Sequence, residues 1–177
     1  MASRLSTCAL SIGLALAPGP LLAAGAPPQL SGKSVRASWT DNRVERNDEG
    51  REKSVSQTST IKLYVSDKGR IFSQFDRAVN AKQTRQNLDV SGSGHTSLNF
   101  HAEGNKLIAD QQATGGARRV TITFDAAFTT CTTSVINGAN GPRQRHQNLS
   151  KTAWLTLVSI TVTSTSCDVT TGNSFGN

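Results

Sequence analysis

The sequence predicts an all-β fold: a single antiparallel barrel or sandwich of about eight strands, preceded by a signal peptide. Segments of alternating apolar and polar residues recur roughly every 10 to 15 residues. The stretches between them are rich in Gly, Asn and Asp, and beyond the N-terminal segment no window has an apolar stripe with helical spacing. Tight turns between successive strands favour a barrel, although a two-sheet sandwich fits the same pattern.

The first 24 residues have the features of a cleavable signal peptide. Arg4 is the only charged residue before position 33, and an apolar run rich in Ala and Leu follows it. Pro18 and Pro20 interrupt this run, which disfavours the alternative of a retained anchor of about 20 apolar residues. We expect cleavage after Ala24 or the next residue, export to the periplasm or the extracellular medium, and no transmembrane segment in the mature chain.

The remaining chain has the length of one domain. We divide it into a short leader (25–32), a single β domain (33–171) and a flexible tail (172–177). The domain begins with Val35, Ala37 and Trp39, which alternate with polar residues and predict a strand with one apolar face.

The segment 41–53 has five acids and four bases with one aliphatic residue, and it is predicted to be a solvated loop or an extended hairpin tip. Alternation then resumes and predicts a first hairpin, in which a turn at 67–69 joins a strand over 55–65 to a return strand over 71–75. Residues 76–94 are polar and are predicted to form a long loop.

The second half of the chain predicts further antiparallel strands. Val120, Ile122 and Phe124 alternate with polar residues and give the clearest one-sided strand of the sequence. The other elements are predicted as strands over 98–100, 107–109 and 128–136, a basic loop over 138–151, a central apolar strand over 154–162 and a short last strand over 167–169.

Two cysteines, Cys131 and Cys167, remain after the signal peptide is removed. In an oxidising compartment an even pair is normally bridged, and we predict a disulfide between them; the alternative is two reduced thiols on separate strands. Their spacing does not match a CxxC metal or redox motif.

No motif identifies an enzyme. Gly32, Lys33 and Ser34 resemble the end of a phosphate-binding loop, but the glycine that the motif requires five residues earlier is Pro27. His95, His101 and His146 have no metal-ligand spacing and nothing selects one of them as a catalytic base, although a hydrolase that uses one of them remains an alternative. We therefore predict no catalytic residue, no metal site and no cofactor.

The charge distribution is more informative, because the chain carries a net charge of +7. No acid lies between positions 125 and 168, and two basic groups stand out in the second half. Such bases favour anionic partners, here an envelope polymer or a lipid headgroup. The candidate ligand-binding residues are Arg118, Arg119, Arg143, Arg145 and Lys151.

Nucleic acid is a disfavoured partner, because no aromatic residue is interleaved with the bases as a stacking platform; Trp154 follows Lys151 but is predicted to lie in the core. The sequence thus predicts an exported, monomeric, non-enzymatic domain that binds an anionic ligand through basic loops. The alternative is a lipocalin-like carrier, with Val120, Ile122 and Phe124 around a cavity for an apolar molecule.

Several short motifs occur in this order along the chain: Gly32-Lys33-Ser34-Val35 with Trp39, Tyr64-Val65-Ser66 with Gly69-Arg70, Gly115-Gly116-Ala117-Arg118-Arg119, the pair Cys131 and Cys167, and Gly172-Asn173-Ser174-Phe175-Gly176. In these motifs the chain resembles a group of small, uncharacterised exported proteins of α-proteobacteria. The resemblance implies a periplasmic or secreted bacterial protein, and it carries over no catalytic residue.

Overall fold

The structure is a computed structural model that describes residues 25–79, 82–89, 98–113, 116–137, 145–147 and 152–175, with the backbone alone for 82–89, 112, 113 and 116. Within these ranges a 3-10 helix, Pro28–Leu30, precedes ten strands. The strands are β1 (Lys33–Asn47), β2 (Glu52–Val65), β3 (Ile71–Val79), β4 (Lys82–Asp89), β5 (Leu98–Glu103), β6 (Lys106–Ala113), β7 (Gly116–Phe124), β8 (Cys131–Asn137), β9 (Arg145–Gln147) and β10 (Trp154–Thr171).

The strands form two antiparallel sheets, which confirms the predicted all-β class. One sheet has the order β4-β3-β2-β1-β10-β9 and the other the order β5-β6-β7-β8. The preference for a barrel is wrong, because the described strands form two separate sheets and neither sheet closes on itself. The two sheets instead share one core, as in a sandwich.

The core is built from the inward side chains of both sheets. Val120, Ile122 and Phe124 are at most 2% exposed and pack in the same cluster as the inward residues of β1 and β2. The barrel on which the carrier alternative depended is therefore absent. The largest fully buried side chains of the two sheets are Trp39, Ile61, Leu63, Ile71, Leu98, Leu107, Ile122, Leu157, Val35, Val65 and Val120.

A disulfide joins the two sheets. Cys131 at the start of β8 is bridged to Cys167 in β10, with 5.4 Å between their Cα atoms. Beside it, the Thr133 hydroxyl donates a hydrogen bond to the carbonyl oxygen of Ser166 at 3.2 Å. The predicted pairing of the cysteines is confirmed, and it fastens an edge strand of the small sheet to the large sheet.

Three segments predicted as loops contain strands. Most of the charged segment 41–53 belongs to β1 and β2, which leaves a tip at 48–51, as in the extended-hairpin alternative. β4 lies in the expected loop 76–94, and β9 lies in the expected loop 138–151. Strand propensity and polarity predicted loops at these three segments. Cross-strand hydrogen bonds to β1, β3 and β10 instead hold the polar residues in an extended conformation.

The expected strands at 154–162 and 167–169 are one 18-residue strand, β10. It has two register shifts against β1, at Thr40/Asp41 and Val44/Glu45. Among the described residues, the three-residue β9 alone lies beyond β10, so β10 is the second strand from the edge of the sheet.

The two ends of the described chain meet at one end of the sandwich. The Gly172 amide donates to the carbonyl oxygen of Gly32 at 2.8 Å, and the Ser174 amide donates to the Ser34 hydroxyl at 2.9 Å. The predicted tail therefore begins with residues that are hydrogen-bonded to the region of β1. The predicted signal peptide and the last two residues lie outside the described ranges. In the part of the chain that the structure describes, no helix has the length and apolar character needed to cross a membrane.

Candidate functional site

The inward face of β1 changes from apolar to charged halfway along the strand. Successive residues of a strand point to opposite faces, so the odd-numbered positions of β1 all face the other sheet. The sequence continues this period with charged residues instead of aliphatic ones, and they are nevertheless buried. In order, the inward positions are Val35, Ala37, Trp39, Asp41, Arg43 and Glu45.

Asp41 is fully buried, with 0% of its surface exposed. Its Oδ2 atom lies 3.5 Å from Nη2 of Arg118, which comes from β7 in the opposite sheet. Burial raises the pKa of the Asp41 carboxyl group, and the guanidinium groups of Arg118 and then Arg43 oppose that rise. A charge so far from solvent costs several kcal/mol unless it is neutralised. Asp41 therefore serves as a counter-charge for the arginines around it.

Arg118 is held on three sides. Its Nε donates to Oδ1 of Asn137 at 2.9 Å, and its guanidinium lies over the Trp39 ring, 5.4 Å from the centroid. It is 5% exposed, and burial is the main cause that lowers its pKa, while Asp41 raises it. Trp39 thus separates Arg118 from the apolar core and gives its cation an aromatic partner.

Arg43 is 8% exposed and is only partly satisfied. Nη1 donates to Oε1 of Gln57 at 3.1 Å, and Nη2 lies 3.2 Å from Oε1 of Glu45. The same Glu45 oxygen is 3.3 Å from Nε2 of His146. Nε of Arg43 is buried and has no hydrogen-bond partner among the described residues. A buried donor without an acceptor lowers the stability of a protein by about 1 to 3 kcal/mol, so an acceptor bound at this N–H would be stabilising.

Arg77 is the least satisfied arginine of the group. It lies in β3 opposite Ser59, on the same inward face, and is partly buried. Burial and then the charge of Arg43 lower the pKa of Arg77, whereas the charge of Asp41 raises it. Within the described ranges no side chain forms a hydrogen bond or an ion pair with Arg77.

We call these five residues, Asp41, Arg43, Glu45, Arg77 and Arg118, the inner charged cluster. Three guanidinium groups face two carboxylates, which leaves one positive charge uncompensated when both acids are ionised. Arginine stays charged and presents a planar fork of donors that matches carboxylate, phosphate and sulfate groups. The cluster therefore has the chemistry of an oxyanion-binding site.

The structure describes three of the five predicted ligand-binding residues, and each has a different setting. Arg118 is buried, as described above. Arg119 is exposed, and it forms a two-point ion pair with Asp110 of β6, at 2.7 and 3.0 Å, which lowers the pKa of Asp110. Nη2 of Arg145 forms an ion pair with Oδ2 of Asp48 at 3.1 Å. Arg143 and Lys151 lie outside the described residues.

The prediction that Trp154 lies in the core is wrong. Its side chain is 46% exposed, and the Arg145 guanidinium lies 5.0 Å from its ring centroid. The start of β10 is covered on one side by the short β9 alone, so the ring projects into solvent.

Two of the three histidines lie in the described part of the chain, each near a glutamate side chain. Nε2 of His101 lies 3.5 Å from Oε1 of Glu103, and His146 contacts Glu45 as stated above. His95 lies outside the described residues. Within the described ranges no three His, Cys, Asp or Glu residues are placed to hold a metal ion.

Sequence reasoning missed Asp41, Arg43 and Arg77, because charged residues at these positions were interpreted as solvated. One signal could have identified two of them: the odd-numbered period of Val35 to Trp39 continues through 41, 43 and 45. Comparisons with known proteins add nothing to this description, since no family model, no curated protein and no solved structure matches the chain.

Proposed function

We propose that this chain is an exported, non-enzymatic β domain that binds an anionic ligand of the cell envelope or the surrounding medium. The inner charged cluster would hold a carboxylate, phosphate or sulfate group of that ligand. The observation that carries the proposal is Arg77, a partly buried guanidinium that makes no ion pair with the described residues beside two buried arginines that do.

Three properties of the cluster support this function. Burial makes each charge interaction stronger than it would be in water, because the local dielectric constant is lower. The excess positive charge favours an anion over a cation. Nε of Arg43 has no hydrogen-bond partner among the described residues, and no described side chain pairs with the guanidinium of Arg77, so both offer donors to a ligand.

The three arginines of this site favour binding over proton transfer. The cluster's three cationic groups are arginines, which do not release a proton near neutral pH. Arg77, Arg43 and Arg118 can position and neutralise an anion, but they cannot act as a general base. Binding is the function that this set of side chains serves best.

The test uses Trp39, whose ring contacts Arg118, as a fluorescent reporter. In a Trp154→Phe background it is the only tryptophan, since the chain has two. Inorganic sulfate and phosphate are titrated at fixed ionic strength, and thermal stabilisation by the same anions is measured in parallel.

We expect Arg77→Gln to weaken anion binding by about tenfold or more, the effect of one lost charge-assisted hydrogen bond. Arg46→Gln is the matched control, because it removes the same charge from an exposed residue that pairs with Glu52 on the outer face. Equal effects of the two substitutions, or no response of the parent protein to either anion, would overturn the proposal.

A further inference from the structure

A groove of about 630 Å³ lies beside the disulfide, at the opposite end of β1 from the inner charged cluster. Its volume is within the range of small-molecule sites, and much of its lining comes from outward-facing residues of β1, β2 and β10. Hydroxyl groups and charged groups are mixed along it. The lining residues used below are Ser34, Arg36, Lys62, Asp168, Thr170 and Ser174.

Two positive charges stand side by side in this groove. Arg36 of β1 is directly opposite Lys62 of β2 in the strand register. Like charges at directly opposite positions destabilise a sheet, so this pair costs stability unless an anion lies near it. Lys62 has a weak ion pair with Asp76 at 3.7 Å, whereas no described residue forms an ion pair with Arg36.

Asp168 gives the groove an acceptor as well. It is opposite Arg36 on the other side of β1, without coming within ion-pair distance of it. A carboxylate at this position can accept hydrogen bonds from ligand hydroxyls. The groove therefore suits a molecule that carries both acidic groups and hydroxyls.

An aromatic pair lies in the strands next to Ser34, which lines the groove. Tyr64 is opposite Ser34 in the register, and its ring lies 6.4 Å from that of Phe72, at an interplanar angle of 28°. Phe72 is 36% exposed, although large apolar side chains are usually buried, and the Arg70 guanidinium lies 5.3 Å from its centroid. Exposed rings beside placed polar groups provide apolar contact for a ligand ring together with orientation.

We infer that this groove binds an acidic oligosaccharide. An acidic group of one sugar lies between Arg36 and Lys62, a sugar ring contacts Tyr64, and sugar hydroxyls donate to Asp168. Single-stranded DNA is the weaker fit, because its backbone has no hydroxyl groups between its ends that could donate to Asp168. This site is separate from the inner charged cluster and does not depend on the function proposed for it.

The experiment is calorimetric titration of the full chain with tetragalacturonate, with neutral galactotetraose and an eight-residue oligothymidylate as comparison ligands. We expect tetragalacturonate to bind, with an affinity that falls as salt is added. Arg36→Gln should weaken this binding by about tenfold, as expected for one lost charge-assisted contact. Tyr64→Ala should weaken it several-fold through lost ring contact.

Arg46→Gln, on the same outer face but at the far end of β1, and Arg77→Gln, in the inner charged cluster, should leave the affinity for tetragalacturonate unchanged. Circular dichroism confirms that each variant is folded. Equal losses in Arg36→Gln and Arg46→Gln, absence of binding, or tighter binding of oligothymidylate would each overturn the assignment. Loss of sulfate binding in Arg77→Gln with intact tetragalacturonate binding would show that the two sites are independent.

Discussion

Removing the disulfide should cost this domain a large share of its stability. Cys131 and Cys167 are separated by 36 residues, and the bond links β8 of the small sheet to β10 of the large sheet. In the chain-entropy treatment, a loop of this length restricts the unfolded chain by about 4 kcal/mol. A domain of ordinary stability has only about 5 to 15 kcal/mol in total.

We therefore expect the double substitution Cys131→Ala with Cys167→Ala to lower the free energy of unfolding by about 4 kcal/mol. The melting temperature should fall by about 8 to 16 °C. Urea unfolding measures the free energy, and its dependence on urea should steepen, because the unfolded state without the crosslink exposes more surface. Amide exchange should become faster first in β8, which has a hydrogen-bonded neighbour on one side, β7.

The control keeps the sequence unchanged. Wild-type protein reduced under native conditions retains both sulfur atoms, so its loss of stability reports the crosslink without the loss of side-chain packing. The reduced protein and the double variant should agree to within about 1 kcal/mol. If both lose less than about 1 kcal/mol, the view that this bond holds the two sheets together is refuted.

Two further predictions concern buried residues. Because burial raises the pKa of Asp41 above its ordinary value of 3.8, the folded state binds this proton more tightly than the unfolded state, and the stability that Asp41 contributes is lost as the pH rises from there. The free energy of unfolding of the wild type minus that of Asp41→Asn should thus fall in urea titrations as the pH rises above 3.8, and a rise would contradict the direction of the shift. Leu107→Ala, at a fully buried position, should lower the free energy of unfolding by about 3 kcal/mol. Ile136→Ala, at a residue that is 63% exposed, should lower it by less than about 1 kcal/mol. Similar decreases for the two variants would contradict the placement of the core.

The strands of the core could be predicted from the sequence because each has one buried face and one solvent-exposed face. Val120, Ile122 and Phe124 alternate with polar residues, and burial of 98% or more follows the same alternation. The sheet partners could not be predicted in the same way. Periodicity fixes which side of a strand is buried, but it does not say that β10 returns to β1 and so leaves the small sheet open.

The candidate site was only partly predictable for a related reason. Arg118 was selected for its charge and was expected in an exposed position, but its inward register places it beside Asp41. The polarity of a residue can be read from the sequence, whereas its burial depends on the sheet that packs against it. Sequence reasoning therefore predicts charged residues at inward positions to be exposed when they are buried.

The pairing of β1 with β10 has a consequence for the order of folding. β1 is flanked by β2, which follows it directly, and by β10, whose residue Thr171 pairs with Lys33 across most of the chain. During synthesis one edge of β1 thus stays without its partner until nearly the whole domain has been made. Contacts so distant along the chain slow folding, and we expect milliseconds to seconds rather than microseconds. In that interval the nascent protein exposes a long strand that can pair with other chains, which makes it a substrate for chaperones.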